Sequence, residues 1–87
     1  MVALSPQQPN SPRRVLSLGE AEWGQVIGHH HLTRLERARY LLRQKGYDTE
    51  ATKLTLYGGA GFTSDLKAAA AGNADILLVD LDQLYAS

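Results

Sequence analysis

The chain has 87 residues, nine Lys+Arg against nine Asp+Glu, and no cysteine. That length allows one small domain, and without disulfides or thiolate-held metal any extra stability must come from a well-packed core or from association with another chain. Balanced charge removes the long-range attraction behind most nucleic-acid binding, and no apolar run approaches the roughly 20 residues of a membrane span.

Residues 1–12 hold all three prolines, Pro6, Pro9 and Pro12, among Ser, Gln and Asn, and predict a disordered leader. Met1 to Leu4 is too short for a signal-peptide core, so the expected location is cytoplasmic. Residues 13–87 predict a single α/β domain. Val15, Leu16 and Leu18 begin a strand over 13–22, and Gly24 and Gly28 punctuate the loop after it. From His29 to Lys45 the period turns helical, with Leu32, Leu35, Ala38, Leu41 and Leu42 on one stripe and Gly46 placed as a left-handed cap.

Thr52 to Tyr57 alternates as a second strand, broken by Gly58-Gly59-Ala60-Gly61. Thr63 or Ser64 caps a short helix through Ala71, with Asp65 near its positive end, and Gly72 stops it. Asp75 to Val79 is continuously apolar after its first residue, which predicts a central strand, and Asp80 caps a last turn from Leu81 to Tyr85. The alternation of strand and helix predicts an α/β fold with a small sheet of about three strands and flanking helices.

Glu20-Ala21-Glu22-Trp23 carries the most chemical information. Residues i and i+2 of a strand face one side, so Glu20 and Glu22 project together at its carboxyl end. Paired carboxylates there could hold Mg²⁺ or Mn²⁺, which would activate water and stabilise charge on a phosphodiester. The plainer reading of the pair is a solvated polar strand end. Trp23 is expected to pack under the following helix.

Leu18-Gly19-Glu20-Ala21-Glu22-Trp23 resembles the second half of the PD-(D/E)XK nuclease signature, usually Gly-Glu-(Ala/Cys)-Lys-Trp. Leu54-Thr55-Leu56-Tyr57-Gly58-Gly59-Ala60-Gly61-Phe62-Thr63-Ser64-Asp65-Leu66 looks like the strand and "SGFT" segment of one branch of that superfamily. Asp75 to Tyr85 is similar to that branch's closing strand and turn. The branch is the nuclease-like domain at the C-terminus of archaeal and bacterial DEXX-box ATPases, and the resemblance covers residues 13–86. It implies a restriction-endonuclease-like but incomplete fold.

Two departures bear on activity. The family's metal-binding Asp lies on the preceding strand, yet nothing before Glu20 is acidic, so the Asp and its whole strand are expected to be missing. Glu22 stands where the family has Lys. Glu20, as the remaining metal ligand, and Glu22 are therefore vestigial catalytic candidates, and the chain is expected to act by binding or assembly, with itself or with an ATPase partner chain, needing no cofactor. The alternative is an endonuclease using Mg²⁺ or Mn²⁺ at Glu20 and Glu22, completed by a partner chain. No ATPase phosphate-loop motif is present.

Three further features have modest readings. The glycine run lacks the Lys and Ser/Thr of a phosphate loop, and serves as a tight turn. His29-His30-His31 fits a polar helix start better than a chelate, which favours i, i+4 spacing. Arg34 and Arg37 share a helical face that could track DNA phosphates, joined by Arg39, Arg13 and Arg14. A solvated helix face, its charge partly offset by Glu36, is the favoured reading of the same arginines.

Overall fold

The computed structural model describes residues 1–7 and 9–82. The elements in chain order are β1 (Val2–Leu4), β2 (Val15–Glu22), α1 (His29–Gln44), β3 (Lys53–Gly58), α2 (Ser64–Ala71) and β4 (Ile76–Asp80). They build an α/β domain on a four-stranded mixed sheet of order β1-β2-β3-β4. Strands β2, β3 and β4 are parallel, and β1 runs antiparallel to β2.

Two crossovers step the same way across the sheet. Because such crossovers are right-handed, both helices fall on one face, where α1 and α2 touch each other. The core lies between that face and the helices. Leu18, Leu54, Leu56 and Ile76 come from the strands, Leu32 and Leu35 from α1, Leu66 from α2 and Ile27 from the loop before α1. Each such side chain contributes about 1.5–3 kcal/mol of burial.

β1 adds a fourth strand to the about three expected, and it is formed by residues 2–4 of the expected leader. The apolar triplet Val2-Ala3-Leu4 precedes the prolines, so they fall in the connection to β2 and leave the strand's donors intact. The Met1 amine donates to the Gly19 carbonyl at 2.9 Å, and Gly19 N–H returns a bond to Met1 at 2.8 Å. Ser5 N–H donates to the Arg14 carbonyl, and Arg13 Nε donates to the Ser5 carbonyl at 2.7 Å.

The β1–β2 pairing also contains a bulge. Ala3 lies opposite Ser17 but Leu4 opposite Val15, so Leu16 is the extra residue. The pleat parity switches there. Val15 and Leu18 both reach the core, while Leu16 is left 46% exposed.

α1 matches its predicted span to within one residue, and Gly46 takes the left-handed φ of 96° expected of it. Leu41 departs from the stripe and is exposed; Ala38 and Leu42 complete the half-buried line instead. Thr63 is the cap residue of α2, and Gly72 ends it.

A second correction concerns β4, which is an edge strand among the described residues, while β3 is central. A continuous apolar run marks a strand covered on both faces, but among the described residues no helix covers the second face. Leu77 points to that open side and stays 46% exposed. The turn predicted from Asp80 begins at Leu81 and Asp82, where Asp82 N–H donates to Asp80 Oδ1 at 2.9 Å. Its remainder, residues 83–85, lies outside the described residues. No helix among the described residues is long and apolar enough to cross a membrane.

Candidate functional site

Open α/β sheets place their ligands beyond the carboxyl ends of the parallel strands, and here Glu20 and Glu22 stand at that end. Glu20 lies opposite Leu56, and Glu22 opposite Gly58. Leu56 is completely buried, so both glutamates share the helix-covered side of the sheet, as their spacing predicts. Asp80 lies opposite Gly58 on the other flank, in the same row as Glu22. Two strand spacings separate Glu22 from Asp80, roughly 10 Å between backbones.

The glutamates have different surroundings. Glu20 sits one pleat nearer the core, and its side chain is only 27% exposed. A carboxylate drawn partly under a helix needs compensation. Arg34, in the second turn of α1, supplies it by donating from Nη2 to Glu20 Oε1. Glu22 has no ion-pair partner among the described residues. Its backbone carbonyl accepts the Gly59 N–H at 2.9 Å, which ties the end of β2 to the glycine turn.

A strand does precede β2, contrary to expectation, but it presents Val2, Ala3 and Leu4 and no acid. It pairs Val2 with Leu18, so it stops short of the level of Glu20. Among the described residues no group of three or more His, Cys, Asp or Glu side chains is gathered as a metal site. A hard divalent cation takes six or more oxygen ligands, several of them waters. One free carboxylate beside one engaged by a guanidinium does not fit that requirement without an acid from outside the described residues.

The glycine turn has a packing explanation. A Cβ on Gly59 would lie 2.6 Å from the Trp23 ring and 3.2 Å from the Trp23 backbone. Gly61 has φ of 94°, and its carbonyl accepts the Ile27 N–H at 3.0 Å. Trp23 therefore lies against this turn, 59% exposed, and not beneath α1 as expected.

The three histidines separate by role. His31 is only 3% exposed, and its Nδ1 accepts the Gly28 N–H at 3.1 Å while its own N–H donates to the Gly28 carbonyl at 3.1 Å. The His30 ring lies against it, with centroids 3.9 Å apart and the planes tilted by 41°. His29 is exposed and its charge reaches Asp65, in the first turn of α2. The Asp65 carboxyl is held below its ordinary value, chiefly by the Thr63 hydroxyl, against a smaller opposing effect of burial; the Leu66 and Asp65 N–H groups and His29 also lower it. Sequence reasoning saw only a polar helix start. The signal was available in the spacing, since His31 falls three residues after the cap residue Gly28.

The basic residues do not converge on one face. Arg34 turns to Glu20, while Arg37 is exposed one turn on. Arg13 and Arg14 lie at the amino end of β2, the opposite pole from Glu20. Arg39 and Arg43 line a concavity of about 650 Å³ with Tyr40, Tyr47, Asp48 and Glu50, also at that pole. Sequence reasoning missed this hollow, because it forms only where the end of α1 meets the connection to β3.

Compared with protein-family models, curated proteins and solved structures, the chain matches none.

Proposed function

We propose that this chain is a non-catalytic, nuclease-like α/β domain that acts by assembly, with a second copy of itself as the partner. The observation that carries the first half is the Arg34–Glu20 pair. The carboxylate that the PD-(D/E)XK resemblance makes the metal ligand is already neutralised by a guanidinium, and the strand before it brings no acid. The mixed sheet, with a glutamate pair closing β2, is compatible with a restriction-endonuclease-like core that has lost its centre.

Assembly is favoured by the side of the sheet that carries no helix among the described residues. Leu77 is exposed there, and no described strand pairs with the outer edge of β4. Unpaired N–H and C=O groups along such an edge accept another strand readily. A small core gains most from a partner.

Plasmid DNA incubated with Mg²⁺ or Mn²⁺, together with sedimentation equilibrium, tests both halves. The expected result is no cleavage and a concentration-dependent dimer. Metal-dependent cleavage that disappears in Glu20→Ala would overturn the first half and install the endonuclease reading. A strict monomer at high concentration would remove the self-assembly half and leave an ATPase chain as the partner to seek.

A further inference from the structure

We propose that His31 is an acid-sensitive latch on the first turn of α1. The geometry specifies its protonation state. Nδ1 accepts the Gly28 N–H, so it carries no proton, and the ring is neutral with its hydrogen on Nε2. His31 occupies the third helical position, where Glu or Gln normally reaches back to the cap residue's N–H. Unlike those residues, an imidazole loses its acceptor when it takes a second proton, because both ring nitrogens then donate.

Protonation acts against α1 in three ways at once. The Gly28 N–H loses its partner in a buried setting. A positive charge arises at the positive end of a 16-residue helix, whose first turn holds no acid. That charge also sits on a side chain shielded almost wholly from water.

The other charged groups at this end do not replace the lost acceptor. From α1 itself come His29, His30 and Arg34. β2 presents Glu20 and Glu22, of which Glu20 is engaged by Arg34. β3 presents only Leu56 and Gly58 on this side. α2 contributes Lys67 and Asp65, whose carboxylate accepts from Thr63 and Leu66, and β4 ends in Asp80. The latch therefore releases the start of α1 on acidification, one turn before Arg34.

The test compares the native chain with His31→Gln, which keeps an acceptor at the third position and cannot titrate, and with His29→Gln/His30→Gln. Imidazole nitrogen shifts and backbone amide exchange are followed from about pH 7.5 to about pH 5, the range in which histidine charge changes. In the native chain His31 should show the Nε2–H form at the upper end. Exchange of the first-turn amides, corrected for its intrinsic pH dependence, should rise on the order of tenfold on acidification, the scale of a lost cap. His29→Gln/His30→Gln should keep that response, and His31→Gln should lose it. Identical profiles for the native chain and His31→Gln would overturn the proposal, as would an Nδ1–H tautomer at the upper end. Should His31→Gln fail to fold, the nitrogen shifts of the native chain decide the tautomer alone.

Discussion

Arg34 donates its guanidinium to the carboxylate of Glu20, joining the second turn of α1 to the helix-facing side of β2. The pair does two things. It compensates a carboxylate that the helix partly covers, and it engages one of the two oxygens of that carboxylate. The Arg34 side chain is more than half exposed, so its direct contribution to stability is about 1 kcal/mol or less.

The first prediction follows from that asymmetry of exposure. Arg34→Ala leaves the half-buried Glu20 without its partner and should lower unfolding free energy by about 1 kcal/mol. Adding Glu20→Gln to it should recover part of the loss, since the stranded charge is then gone. A urea-unfolding double-mutant cycle measures the coupling. Strictly additive losses would show that the two side chains do not interact in solution.

How far this arrangement was legible beforehand depends on the range of the signal. Leu32, Leu35, Ala38 and Leu42 write the buried side of α1 within one element, and Gly46 marks its end, so helix and boundary could be read directly. The alternation that puts Glu20 beside Glu22 is equally local. The Arg34–Glu20 contact joins residues 14 apart and exists only because α1 crosses back over β2. β1 is harder still. Three apolar residues have no periodicity to detect, and they become a strand only against the edge that β2 offers. The bulge that exposes Leu16 is likewise a property of that pairing.

The second prediction concerns the glycine turn. Gly59→Ala should destabilise the fold by about 1–3 kcal/mol, as overpacking does. Swinging the Trp23 ring aside relieves only one of the close contacts, because the Trp23 backbone is also within 3.2 Å of the new methyl group. Gly24→Ala, where a Cβ meets nothing within 4 Å, is the control and should change stability by less than about 0.5 kcal/mol. Equal effects at the two positions in thermal or urea unfolding would refute this account of the turn.

A third prediction turns on Asp65, whose folded-state pKa lies below the ordinary 3.8, first through the Thr63 hydroxyl. A depressed carboxyl contributes stability that is present above its unfolded pKa and lost as pH falls through the folded one. The native chain should therefore lose stability relative to Asp65→Asn as pH drops below about 4, and the difference should be level above about pH 5. Thr63→Val should flatten most of this dependence while sparing the α2 backbone. Unfolding followed by circular dichroism across that pH range reads both. A difference that grows toward neutral pH would have the wrong sign and would count against the hydrogen-bonded carboxylate.

The last prediction addresses the open side of the sheet. Leu77 lies on β4, at the described edge, with nearly half its surface exposed. In a second copy pairing along this edge, Leu77 would be covered, and a charge in its place would be buried without a partner. Leu77→Lys should then weaken dimerisation at least about tenfold in sedimentation equilibrium, on the scale of an unpaired charge at an interface. The folded monomer should be unaffected, because the side chain contributes little to the core that faces α1 and α2. Leu66→Ala provides the contrast: Leu66 is the wholly buried residue of α2, so truncating it should cost about 2–5 kcal/mol of fold stability. If Leu77→Lys unfolds the chain as Leu66→Ala does, Leu77 belongs to the monomer's own packing. If it changes neither stability nor association, the edge of β4 is not where copies meet.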